Sequence, residues 1–144
     1  MNETIQLLQD VVRNARSGEE AINQLMDKVE SQEMRGELDR EREQYRASAQ
    51  EAESALAAAG GRAEPVGALQ KAGMWMGLEM ETLADRSSAH IAEIAIQGAN
   101  MGVVEMTKAM NSYAGAGQGA RELAERFVAR QNETIERQKR FLRN

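Results

Sequence analysis

The chain has 144 residues, with 18 Lys and Arg against 23 Asp and Glu, a formal net charge of −5, 3% aromatic residues, one His and no Cys. A chain of that length buries about 70% of the surface it exposes unfolded, so folding needs neither disulfides nor a metal. The missing thiols exclude a disulfide framework, a thiolate zinc site, an iron–sulfur cluster and a cysteine nucleophile, and a pI near 5.1 opposes general affinity for nucleic acid.

The opening "MNETIQLLQD" carries acids where a secretory signal needs bases followed by an apolar run, so a cytoplasmic protein is expected. The longest uncharged stretches, 94–104 and 109–120, fall short of the roughly 20 apolar residues of a membrane span. Charge is uneven along the chain. Residues 1–60 hold 13 acids and 7 bases, whereas residues 121–144 hold 4 acids and 7 bases. Seven bases interleaved with four acids make a weak footprint for phosphate, so no nucleic-acid partner is expected.

Strong breakers fall in two places, around Gly60–Gly61 with Pro65 and around Gly115, Gly117 and Gly119, and good helix formers dominate elsewhere. Helix 1 is expected over about 3–29, with a heptad seam of Leu8, Val12, Ala15, Glu19, Ile22, Met26 and Val29. Ser31 is a candidate N-cap for helix 2, about 32–59, whose seam is Met34, Leu38, Glu41, Tyr45, Ser48, Ala52 and Ala55. Each seam is broken by one acid, Glu19 or Glu41. The stretch 66–84 is patterned as a further helix by Leu69, Gly73, Met76, Met80 and Leu83, too long for a turn and long enough to run back along a bundle. Helix 3 follows at about 87–112, with the stripe Ile91, Ile94, Gly98, Met101, Glu105 and Lys108. Alternatively, the heptad of 66–84 continues through Ser87, His90 and Ile94 into one helix of about 45 residues. Helix 4, about 119–142, has the stripe Ala124, Phe127, Val128, Gln131, Ile135, Gln138 and Leu142. The expected fold is therefore one all-α domain over 1–144, four long helices and a helical crossover segment between helices 2 and 3.

Two antiparallel pairs of long helices separated by a connecting segment, with one seam acid in each of helices 1 and 2, resemble the ferritin-like, rubrerythrin-like four-helix bundles. The stretch "GALQKAGMWMGLEMETL" is similar to the Trp-bearing connector of bacterial members of that group. The resemblance implies a di-iron site with one Glu from each of two helices and a Glu-x-x-His from each of the other two. This chain departs from that set. Its one His, His90, is preceded at the required spacing by Ser87, Glu41 is followed by Gln44, and Gln131 is followed by Thr134.

The residues leave several sites open. Glu19 and Glu41, expected to be neighbours across the helix 1–2 seam, could hold a divalent ion such as Mg²⁺ or Ca²⁺ together with Gln44 and Gln131. Without the crossover, the same two acids would instead meet Glu105 and Lys108 in a buried ionic cluster. The leading expectation is that Glu19 and Glu41 are seam-edge residues whose carboxylates reach water, since acids are rarely buried unpaired. His90 and Glu93 share a helix face and could supply two further ligands. Gly98 and Gly102, each costing roughly 1 kcal/mol of helix propensity, form with Ala95 and Ala99 a strip that lets another backbone approach. Met74, Trp75, Met76 and Met80 make a methionine-rich surface suited to packing or to an oligomer interface; thioether ligation of copper is the other use of such a cluster. Neither a phosphate loop nor a Ser-His-Asp set is present.

The expectation is thus a non-catalytic, cytoplasmic, ferritin-like bundle with no cofactor, self-associating as a homo-oligomer, first of all a dimer, and serving as an interaction or scaffold protein. The alternative is a carboxylate-based metal-binding or metal-handling bundle carrying a divalent metal ion.

Overall fold

A computed structural model describes residues 2–63 and 84–143. They form α1 (Glu3–Met26), α2 (Gln32–Ala58), α3 (Ser88–Ser112) and α4 (Gln118–Gln138), closed by a 3-10 turn at Lys139–Phe141. No strand occurs among the described residues. All but the last residue of the expected crossover helix, with Met74, Trp75, Met76 and Met80, lies outside them.

Local chemistry sets the helix ends. The Asn2 carboxamide accepts the free amides of Thr4 and Ile5, and the Ser31 and Ser87 hydroxyls accept those of Met34 and His90. Residues 84–87 are not helical, so α3 is not the end of a 45-residue helix. α2 finishes in a Schellman motif: Gly60, at φ 81°, bonds Ala57, and Gly61 bonds the Leu56 carbonyl. α1 stops three residues short of the heptad's end, although Val29 N–H still bonds Leu25 and its side chain stays buried. α4 tightens into its 3-10 turn rather than running on to 142, a common way for a last helical turn to close.

α1 packs against α2, α3 and α4, and α4 packs against α2 and α3, which leaves α2 and α3 at opposite corners. Hydrogen bonds fix the directions. Arg46 on Glu19 and Arg16 on Glu53 make α1 and α2 antiparallel. Gln138 on Glu41, Tyr45 on Gln131 and Arg126 on Glu51 make α2 and α4 antiparallel. The Arg121 guanidinium, donating to the Met110 and Tyr113 carbonyls, does the same for α3 and α4. Hence α2 and α3 run the same way, and α2 ends at the end of the bundle opposite to where α3 begins. The start of α3 sits instead beside Ser31, Glu33 and Phe141.

The core is aliphatic, with Leu7, Leu8, Val11, Leu25, Met34, Leu38, Leu56, Ile91, Met106 and Phe127 among its largest buried side chains. Two stripes differ from the heptad reading. On α3 the buried row is Ile91, Ala95, Ala99, Gly102, Met106 and Ala109, whereas Met101, Glu105 and Lys108 are exposed. Small residues favour this rotation: a β-carbon on Gly102 would stand 3.3 Å from the Phe127 ring, so the glycine leaves room for α4 to approach. On α4 the buried row is Ala120, Ala124, Phe127, Gln131, Thr134 and Gln138, while Ile135 is half-buried and Leu142 exposed. Polar residues face inward there because α2 offers them polar partners.

Candidate functional site

Side chains that α2 and α4 turn toward each other form a polar seam through the bundle. Glu37 and Glu41, one helical turn apart, are buried, as are Ser48, Gln131, Thr134 and Gln138. Glu37 receives Arg40 (2.9 Å), Arg137 (2.9 Å) and Arg140 (3.5 Å). Gln138 Nε2 donates to Glu41 Oε2 at 2.5 Å, Tyr45 Oη donates to Gln131 Oε1 at 2.7 Å, and Arg130 donates to Ser48 Oγ at 2.9 Å. The Tyr45 ring leans on Phe127, centroids 6.3 Å apart.

Electrostatics separate the two carboxyls. Burial would raise Glu37, but the Glu41 hydrogen bond and the arginines hold it below its usual value. Burial, then the interaction with Glu37, pushes Glu41 up to about 9, so it is a neutral acid at pH 7. The Gln138 Oε1 and Glu41 Oε1 atoms are buried without a hydrogen-bond partner, so an ionised Glu41 would leave a buried charge incompletely compensated. Burial likewise raises the Tyr45 phenol, with the nearby Glu41 adding to it.

The expected metal candidates are dispersed. Gly18 lies against the Tyr45 ring, which places Glu19 about one turn along the bundle from Glu41. Glu19 is held by Arg16 (2.8 Å) and Arg46 (2.6 Å); burial works against them, and they still draw its carboxyl down. The two acids are therefore not neighbours, because the connection from α1 to α2 shifts their pairing by about a turn, and Glu41 is fully buried against Gln138 rather than a seam-edge residue whose carboxylate reaches water. Gln44 is half-buried on α2, and Gln131 is engaged by Tyr45. His90 and Glu93 meet weakly, Nδ1 to Oε2 at 3.3 Å, on the open end of α3 in a polar hollow shared with Asp85 and Arg140. Glu105 and Lys108 form only an exposed pair at 3.9 Å, remote from the seam acids, so the buried ionic cluster does not form. Among the described residues, no three His, Asp or Glu side chains are gathered to hold a metal.

The strip residues Ala95, Ala99 and Gly102 are buried, and Gly98 is half-buried. Gly98 and Gly102, with Gly18 and Ser17 opposite on α1, wall a mainly apolar cleft of about 300 Å³ floored by Tyr45, Phe127 and Gln131.

Sequence reasoning placed Gln138 on the helix 4 stripe without giving it a role, and missed Glu37 and the arginines that serve it. The signal was present in part: Glu37 and Glu41 are at i and i+4, and Arg130 and Arg137 are one heptad apart. No helix among the described residues is long and apolar enough to cross a membrane. Comparison of the chain with protein-family models, curated proteins and solved structures finds no match.

Proposed function

We propose that the protein is a ferritin-like bundle of the bacterial cytoplasm, its second and third helices joined by a crossover segment, that performs no catalysis of its own and acts as a self-associating scaffold. One observation carries this reading. The polar groups drawn into the interior, Glu37, Glu41, Ser48, Gln131 and Gln138, each bond a side chain of the opposite helix and thereby hold α2 to α4. Such groups specify one arrangement of helices. The parallel course of α2 and α3 supports the ferritin-like connectivity. Met101, 42% exposed where it lines the cleft between α1 and α3, and Val104, 43% exposed on α3, support pairing with a second copy, to which Met74, Trp75, Met76 and Met80 are candidates to contribute.

The metal-handling alternative draws on the same acids, but Glu41 would have to lose its proton and Glu19 its arginines before either could ligate. Sedimentation equilibrium over a wide concentration range tests self-association, with a dimer expected; a strict monomer would refute it. Elemental analysis of purified protein tests the rest: a stoichiometric divalent metal that disappears in Glu41→Ala would replace the scaffold with a metal site.

A further inference from the structure

We propose that the outer face of α3 is the surface on which two copies of this chain meet, running antiparallel about a two-fold axis that passes between Asn100 and Met101; this rests on the self-association proposed above.

The face is set apart by its charges. Arg16–Glu53 and Arg46–Glu19 bridge α1 to α2, and Arg126–Glu51, Arg130–Glu51 and Arg137–Glu37 bridge α2 to α4. By contrast, α3 carries no charged side chain from Ile94 to Val104, about three helical turns in its middle. Ile91, Ala95, Ala99, Gly102 and Met106 turn into the bundle. Gln97, Asn100 and Val104, at spacings of three and four, are therefore exposed along the opposite side, with Met101 at their edge toward α1.

Opposite charges stand at the two ends of this face, Glu93 before the uncharged stretch and Lys108 after it. Their ion pairs stay within α3 and are loose: Glu93 meets His90 at 3.3 Å, and Lys108 meets Glu105 at 3.9 Å. Glu105 lines the cleft toward α1. The Glu93 and Lys108 side chains are 57% and 71% exposed, so both are open to a second molecule.

Spacing then selects the symmetry. Glu93 and Lys108 are equally far in sequence from the midpoint between Asn100 and Met101, so an antiparallel copy sets each Glu93 opposite the partner's Lys108. The same register sets Gln97 opposite the partner's Val104 and Asn100 opposite the partner's Met101, which gives a charge-free centre with a charged rim. One patch serves both copies, as a two-fold contact requires. A parallel copy would oppose Glu93 to Glu93 and Lys108 to Lys108, which like charges disfavour. From Glu93 to Lys108 the face is about 22 Å long. A single pair of helix faces of that length is smaller than a standard interface, so the dimer is expected to be weak and to exchange rapidly.

Sedimentation of the full chain at low salt tests the register. Glu93→Lys alone, or Lys108→Glu alone, opposes like charges at both ends, and each is expected to weaken the dimer about tenfold. An equimolar mixture of the two variants is expected to regain parental association, because a mixed dimer again holds opposite charges at both ends. A parent that dimerises while both variants match it would overturn this surface and leave self-association standing. Weakened variants that mixing does not rescue, although each melts like the parent, would overturn the antiparallel register. A parent that stays monomeric would overturn both readings. The chain has no cysteine, so a single introduced thiol gives a second measurement without background. Asn100→Cys, next to the axis, is expected to form disulfide-linked dimers several-fold faster than Glu125→Cys on α4; equal rates would overturn the proposal.

Discussion

Glu41 is the residue whose behaviour most separates this bundle from a metal carrier. Its folded-state pKa lies above its unfolded value, so the stability it contributes is complete below pH of about 4.5 and is lost as pH rises toward about 9. Glu37 works with the opposite sign, contributing above the ordinary carboxylate range and losing that contribution as acid protonates it. Glu41→Gln keeps a neutral donor toward Glu37. The variant is expected to melt higher than the parent at pH 9 and to show a flatter dependence of melting temperature on pH between about 5 and 9, followed by circular dichroism; parallel curves for the two proteins would contradict the protonated state. Gly18 carries a second prediction. A β-carbon there would overlap the Tyr45 ring, which is pinned by Phe127 and Gln131. Alanine normally favours a helix over glycine by up to about 1 kcal/mol. Here Gly18→Ala should nonetheless destabilise by about 1–3 kcal/mol through overpacking, read by urea unfolding.

The helices show where local reading holds and where it stops. Ser31 was legible as a cap because capping is settled within a few residues, and the Gly60–Gly61 break announced the end of α2 for the same reason. The seam of α2 also read correctly, since Met34, Leu38, Tyr45 and Ala52 are large or apolar where they are buried. On α3 the same periodicity favoured Met101 over Gly102, and the structure turned the glycine inward. Hydrophobic pattern ranks residues by their appetite for burial, whereas the separation of two helix axes is set by the smallest side chains between them. On α4 the expected Gln131 and Gln138 took the interior, bonded to Tyr45 and Glu41 of α2, whereas Leu142 at the end of the expected stripe took the solvent.

For the whole molecule the decisive fact is that α2 and α3 run in the same direction, so that α2 ends at the end of the bundle opposite to where α3 begins. A chain covers at most about 3.6 Å per residue, so six residues of Gly and Ser replacing 62–85 would reach about 22 Å against a helix length of roughly 37 Å. That variant is expected to lose cooperative thermal unfolding or to form dimers by exchanging α3 and α4, whereas a Gly-Ser replacement of equal length should keep the four helices. A monomeric short-linker variant with parental melting would show that the helices can run up and down in sequence. From sequence alone came the all-α class, the breaks, the caps and the absence of thiols, all properties of neighbouring residues or of composition. The tertiary structure decided that Glu41 is buried and neutral, that Glu19 belongs to two arginines, and that one wall of the bundle is a glycine cleft. Those outcomes depend on groups such as Tyr45 and Gln131, 86 positions apart, whose mutual energy exists only once the helices have met.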